Sequence, residues 1–253
     1  MLYRSTNKKL ITAAGGNGTA IEILDHTLLR RDYESRGKIL ERDFVARGVE
    51  QVGFLIPSER HFEMAGGEFC GNATRAAAVL LSQVQDENNV SFSVSGFNGV
   101  VSASVERRSN TTFFVKASFP GMEIGVKTVP LENGTVVSIV DLGGIVHVIV
   151  EGAFPADYIP QHRQIVKYLG LRNRDAVGVV WYQKAASDVI TIHPVVWVRA
   201  VDTCYYESSC GSGTIAVGKV TGSQLITQPT GKTISVEFFE DRVVLASEME
   251  IVY

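Results

Sequence analysis

The sequence predicts an α+β protein of two similar halves, each a mostly antiparallel, strand-rich layer around one buried helix. Three observations predict it. Short runs with period-2 alternation dominate the chain, a few segments carry helical signals, and one Cys-Gly motif occurs twice.

The strand signals come in order along the chain. Ser91-Phe92-Ser93-Val94-Ser95 alternates cleanly, as do Val101 to Val105 and Thr112 to Val115. Thr135 to Leu142, Ile145 to Val150, Val177 to Trp181, Val189 to Trp197, Thr233 to Phe238 and Arg242 to Ala246 are further β-rich runs. Phe97-Asn98-Gly99, Glu132-Asn133-Gly134 and Glu240-Asp241 punctuate them as turns. Many short strands at this spacing imply mostly antiparallel sheet.

Four segments read as helices: Ser35 to Arg47, Cys70 to Val84, Pro155 to Leu171, and Cys210 to Lys219 or slightly beyond, with Gly222 as a stop. The second contains Ala76-Ala77-Ala78-Val79-Leu80-Leu81, apolar on all sides, and so should be wrapped by other structure. Cys70-Gly71-Asn72-Ala73-Thr74-Arg75-Ala76 aligns with Cys210-Gly211-Ser212-Gly213-Thr214-Ile215-Ala216, with Cys, Gly, Thr and Ala at matching offsets. The glycine-rich loop Gly15-Gly16-Asn17-Gly18 has a looser counterpart in Gly143-Gly144-Ile145-Val146. A single repeat of this length means two related halves rather than a solenoid.

Composition narrows the function. The 253 residues are 45% hydrophobic and 20% charged with a net charge of −3, a globular balance without the basic surplus of a nucleic-acid binder. No apolar run reaches membrane-spanning length, and the stretch after Met1 to Leu10 is too short and glycine-rich for a signal peptide. A cytoplasmic protein with a small-molecule partner is expected. The three cysteines, Cys70, Cys204 and Cys210, are too few for a disulfide framework and lack metal-ligand spacing, so no metal is expected.

A cysteine at a helix start has chemical meaning. The helix N-terminus offers unpaired N–H groups and partial positive charge, which lower a thiol pKa and cradle an anion such as an α-carboxylate. Gly71 and Gly211 would let a ligand approach the backbone. Two such starts facing each other suit inversion of a stereocentre: one thiolate removes the α-proton and the opposite thiol returns one. Cys204 reads as a small buried hydrophobe.

At these residues the chain resembles the diaminopimelate-epimerase-like superfamily of racemases that work without pyridoxal phosphate. The run Glu63-Met64-Ala65-Gly66-Gly67-Glu68-Phe69-Cys70-Gly71-Asn72-Ala73-Thr74-Arg75 is most similar to the histidine racemases of opine-metallophore pathways. The likeness continues through Gly16-Asn17-Gly18 and the Gly-Gly-x-x-His segment ending at His147. It implies two pseudo-symmetric barrel-like halves, 1–119 with 247–253 and 120–246, with a cofactor-free site in the cleft between them and a homodimeric state. It places Asn17, Asn72 and the His147 loop at that site, beside the helix-start residues Gly71, Gly211 and Ser212.

Departures bear on the substrate. Diaminopimelate epimerases carry a Glu-Arg pair where Asp202 and Thr203 stand here, so the arginine that grips a second carboxylate is missing. Glu207 replaces the usual threonine three residues before the second cysteine, which suits a cationic or hydrogen-bond-donating side chain such as imidazole. Glu68 reads as orienting its helix start by dipole, Arg75 as pairing with an acid, and Tyr205-Tyr206 as a pocket wall or core. L-Histidine is the favoured substrate. Diaminopimelate epimerase and proline or hydroxyproline epimerase are enzyme alternatives, although Tyr205-Tyr206-Glu207 does not match the Asp-Arg-Ser-Pro approach of the proline type. A thiol redox protein or a non-catalytic binding module is the alternative of another class.

Overall fold

The computed structural model describes residues 7–185, 189–200 and 202–252. The first six residues and Tyr253, which the sequence assigns to the first half, lie outside the described residues.

The chain opens with a hairpin of β1 (Lys8–Ala13) and β2 (Gly16–Ile23), then α1 (Arg30–Phe44), β3 (Val49–Ile56), β4 (His61–Met64) and α2 (Gly71–Gln85). The meander β5 (Asn89–Val94), β6 (Val100–Arg107) and β7 (Thr112–Pro120) follows. The second pass runs β8 (Gly125–Pro130), β9 (Val136–Asp141), β10 (Val146–Glu151), α3 (Tyr158–Tyr168), β11 (Ala176–Lys184), β12 (Ile190–Val198), β13 (Thr203–Tyr206) and α4 (Gly211–Thr221). It ends with β14 (Leu225–Thr227), β15 (Thr233–Phe238) and β16 (Arg242–Val252).

The mostly antiparallel sheet has four parallel pairs that periodicity did not reveal: β2 with β3, β4 with β5, β10 with β11, and β12 with β14. Each is bridged by one of the four helices, in chain order, because a parallel pair needs a crossover. The two passes therefore share one topology. The glycine-rich segment expected as a loop is instead a tight turn at Ala14 and Gly15, and Gly16 to Gly18 belong to strand β2.

One strand joins the passes. β16 pairs with β7 from Arg242↔Pro120 to Glu250↔Thr112, with β15 over its first part, and with β1 over its last, Met249↔Ala13 to Val252↔Leu10. The order β1-β2-β3-β4-β5-β6-β7-β16 returns to β1 and closes a ring. Among the described residues the second series, β16-β15-β14-β12-β11-β10-β9-β8, stays open at β8.

The helices divide by position. From Gly71 to Ser82 every residue of α2 is buried, and in α4 every residue from Gly211 to Gly218 is. Both lie inside, and one continuous core contains their side chains together with Cys70 and Cys210. Helices α1 and α3 cover the outer faces over separate clusters, Tyr33 and Leu40 against Phe54 and Ile56, and Ile165 and Val166 against Val179 and Trp181. Strands β2 and β10 are thus buried on both faces, which is why they lack alternation.

Candidate active site

The two motifs fold alike. Cys70 is the N-cap of α2, and its Sγ accepts a bond from the Ala73 amide at 3.3 Å. Cys210 is the N-cap of α4, and its Sγ accepts from the Gly213 amide at 3.2 Å. The recurring threonine has one job in both. Thr74 Oγ1 donates to the Cys70 carbonyl at 2.8 Å and Thr214 Oγ1 to the Cys210 carbonyl at 2.7 Å, fixing each cap.

The helix starts abut at their glycines. A Cβ on Gly211 would meet Asn72 Oδ1 at 2.9 Å and the backbone of Gly71 and Asn72 at 3.1 Å. The glycines, expected to admit a ligand, thus first allow the two helix N-termini to meet. Asn72 stitches the seam, its Nδ2 donating to the Ser209 carbonyl at 2.9 Å and to Ser209 Oγ at 3.1 Å.

Around the seam, the segment before Cys210 is fastened to the first half. Tyr205 donates its hydroxyl proton to Glu41 on α1. Glu207 accepts from Gln51 Nε2 at 2.7 Å, and Gln51 Oε1 in turn accepts the Cys70 thiol proton at 2.8 Å. Ser208 donates through Oγ and its amide to Glu50, while its Oγ accepts from the Asn17 amide at 2.6 Å. Ser209 Oγ donates to the Ala13 carbonyl at 2.8 Å. A cavity of about 60 Å³ remains beside Cys70, lined by Gln51, Glu68, Glu207, Ser212 and Tyr205 among others.

Electrostatics depart from the expectation of low thiol pKa values. Burial pushes Cys70 up to about 12 and Cys210 well above the ordinary thiol range, and the Glu207 carboxylate adds to both. The helix amides act in the expected lowering direction, but desolvation outweighs them in this closed arrangement. Burial also raises the carboxyls, Glu68 to about 7 and Glu207 to about 8, and lifts Glu50 above its ordinary value. A cationic ligand among these acids would favour their charged forms.

The other sequence-derived residues fall in different places. Ser212 Oγ lies 3.6 Å from Cys210 Sγ and 2.9 Å from His147 Nε2. His147 is fully buried on β10, in the space left by Gly178 on β11, and meets the site through Ser212 rather than lining the cavity. Burial holds it neutral, at about 3. Asn17 is buried, reaches Glu50 through Nδ2 at 3.4 Å, and has Oδ1 unpartnered among the described residues. Asp202 is not brought to the thiols. It accepts from Trp197 Nε1 at 3.0 Å in an outer groove that also holds Cys204, because β13 carries this segment along the edge of β12. The side chain of Thr203 lies outside the described residues. Arg75 has no acid partner among the described residues, contrary to expectation, and binds Asn72 Oδ1. Tyr206 packs on Phe154 with centroids 5.0 Å apart, in an outer aromatic cluster. Glu63 accepts bonds from Arg30 and His61.

Sequence reasoning missed Glu50, Gln51, Ser208 and Ser209. The serines had a signal, since they immediately precede a helix-capping cysteine. Glu50 and Gln51 had none, being two polar residues at the start of an apolar strand. Among the described residues no cluster of three or more His, Cys, Asp or Glu is arranged for a metal, and no helix is long and apolar enough to cross a membrane.

Comparison with known proteins places this geometry. The family profile described as "Histidine racemase CntK N-terminal domain" matches residues 30–242. A histidine racemase of Fusobacterium nucleatum subsp. nucleatum is 31% identical over 207 residues, covering 72% of this chain and 71% of the relative. A histidine racemase from another strain of that organism is 30% identical over 184 residues, covering 67% of this chain and 65% of the relative, so the chain spans just under two thirds of that relative's length. Among solved structures, a predicted epimerase from Pseudomonas aeruginosa matches with a TM-score of 0.64 at 13% identity over 98% of both chains. A probable proline racemase from Agrobacterium radiobacter K84 matches with a TM-score of 0.57 at 13% identity, covering 97% of this chain and 92% of the other. At such identity these two establish shared fold alone.

Proposed function

The chain belongs to the histidine racemase family, and we propose that it interconverts L- and D-histidine by a two-base reaction between Cys70 and Cys210. The observation that carries this reading is the pair of cysteine-capped helices meeting at Gly71 and Gly211. In the reaction, one cysteine as thiolate takes the α-proton, and the other as thiol gives its proton to the opposite face of Cα. The thiols exchange states, and the reverse direction uses the opposite pair of roles.

The substrate carboxylate is held by first-turn amides of the two helices, where Gly71, Asn72, Gly211 and Ser212 lie, and these N–H groups stabilise the charge that grows as the Cα–H bond breaks. Glu207 receives the cationic or hydrogen-bond-donating part of the substrate, with Gln51 positioning it at 2.7 Å. Asn17 and His147 act as positioning residues, Asn17 through Ser208 and His147 through Ser212. The cavity of about 60 Å³ holds a handful of waters, so substrate binding requires the cleft to open along the Tyr205–Ser209 fastenings. Asp202 has no part in this arrangement.

The functional unit in this reading is the two halves, 1–119 with 247–253 and 120–246, and the protein acts as a cytoplasmic homodimer without pyridoxal phosphate. The test is incubation with L-histidine in D2O without pyridoxal phosphate. Deuterium at Cα together with D-histidine supports the reading, and absence of exchange with every amino acid defeats it. If Glu207→Gln leaves side-chain preference unchanged, the assignment of Glu207 is withdrawn.

A further inference from the structure

Glu68 carries a buried carboxyl that the fold leaves unpaired. It stands two residues before Cys70 and is 8% exposed, and its Oε2 has no hydrogen-bond partner among the described residues. No lysine, arginine or histidine among the described residues pairs with it. Arg30 acts on it electrostatically but gives its own bonds to Glu63 and to the Met64 and Ala65 carbonyls. Nor does the carboxyl cap α2, because the Ala73 amide bonds Cys70 Sγ instead. A buried acid in this state calls for a proton or for a partner from outside the chain.

The chain builds this position. Glu68 and Cys70 both line the cavity of about 60 Å³. A Cβ on Gly66 would collide with Glu68 Oε2, so glycine there makes the room that the carboxyl occupies. Ser95 Oγ donates to the Glu68 carbonyl at 3.1 Å, and a Cβ on Gly96 would strike the Glu68–Phe69 peptide, which lies against that turn. Phe69 packs edge-on to Phe119 with centroids 5.3 Å apart. These fastenings belong to the first half, so carboxyl and sulfur keep their relation when the cleft opens along Tyr205–Ser209.

We propose that Glu68 is a substrate-binding residue whose carboxylate takes the α-ammonium of the amino acid. This rests on the two-base reading, which puts Cα beside Cys70 Sγ and the substrate carboxylate on the helix amides. The ammonium is bonded to that same Cα. It is a full charge at neutral pH and needs a carboxylate once removed from water. An imidazole, with an ordinary pKa of about 6.5, is mainly neutral there and needs only hydrogen bonds. Glu207 already accepts from Gln51 at 2.7 Å and suits the ring, whereas Glu68 Oε2 is free. Glu50 is tied to Ser208. Burial raises Glu68 to about 7 and Glu207 to about 8, so Glu68 is the easier of the two to ionise.

Affinity, rather than turnover, tests this. Calorimetry on the full chain compares L-histidine with 3-(imidazol-4-yl)propanoate, which is histidine without its ammonium. The parent should prefer histidine by at least about tenfold, the scale of one charge-assisted bond. A purely structural, protonated Glu68 would tolerate glutamine, its neutral counterpart in shape. In the proposed role, Glu68→Gln cuts the preference to within about twofold, while Glu207→Gln keeps it within about threefold of the parent. A folded Glu68→Gln chain with the parent preference overturns the proposal, and so does loss of the preference in Glu207→Gln alone. A parent that binds both ligands equally overturns it as well, with no variant needed. If the expected binding pattern appears without deuterium exchange at Cα, racemisation fails and the Glu68 contact stands. Exchange with the preference intact in Glu68→Gln is the reverse case.

Discussion

The two cysteine-capped helix starts are near copies in backbone and different in surroundings. At each, the amide of the third helical residue bonds the sulfur and a threonine hydroxyl bonds the cysteine carbonyl. Beyond that the likeness ends. Cys70 directs its thiol proton to Gln51 at 2.8 Å, so it is arranged as a donor. Cys210 has Ser212 Oγ at 3.6 Å, backed by a neutral His147, and its own amide is anchored to Gln228 Oε1 at 2.8 Å. On the proposed reading, the shared part serves the α-proton transfer and the unshared part meets the substrate side chain.

The sharpest way to break this comparison is to remove each sulfur. Cys70→Ala and Cys210→Ala should each lower racemisation by at least about a thousandfold, on the scale of removing an essential acid or base. If the thiols are true counterparts, each variant retains deuterium exchange from one enantiomer, and the enantiomer differs between them. Retention of exchange from the same enantiomer in both variants would show that only one sulfur works as a base. Cys204→Ala should leave the rate within about twofold, since Cys204 lines the outer groove.

The glycine seam offers a smaller and asymmetric effect. A Cβ at Gly211 is trapped between Asn72 Oδ1 at 2.9 Å and backbone at 3.1 Å, none of which yields easily. At Gly71 the closest atom is the tip of Leu245 at 2.8 Å, and the nearest backbone is 3.4 Å away. Gly211→Ala should therefore cost about 2–3 kcal/mol and Gly71→Ala about 1 kcal/mol, since overpacking a fixed backbone costs more than displacing a rotamer. In thermal melts that is a fall of roughly 4–12 °C against roughly 2–4 °C. Equal falls would mean that the seam moves as readily from either side.

These contrasts also explain what was legible in the sequence. The repeated Cys-Gly motif, the wrapped helix at Ala76 to Leu81 and the antiparallel meander at Ser91 to Val115 could be read because each depends on local order. The seam could not, because Asn72 meets Ser209 across the whole fold. The parallel pairs were hidden because β2 and β3 are buried on both faces and lack alternation. The thiol pKa expectation failed for a related reason. A helix start is local, whereas the desolvation that outweighs it comes from closure of the two halves over both sulfurs.

Glu207 is the group through which one half acts on both thiols, and its effect on stability is the smallest difference worth measuring. Its carboxyl is raised to about 8 by burial, whereas an unfolded chain releases the proton near the ordinary carboxylate value of 4.5. Between these values the folded state holds a proton that the unfolded state has lost, so stability is complete below the lower value and declines as pH rises towards the upper one. Glu68, raised to about 7, gives a decline of the same sign that ends earlier. The substrate-free protein should therefore melt at progressively lower temperature from about pH 5 to pH 8. In Glu207→Gln the decline should shrink and level off nearer pH 7, where Glu68 completes its own titration. Calorimetric melts at half-unit pH intervals decide it, and a variant whose slope matches the parent up to pH 8 would mean that Glu207 is ionised in the folded protein. It would then be a standing negative charge beside both sulfurs, in the direction that holds both thiols protonated.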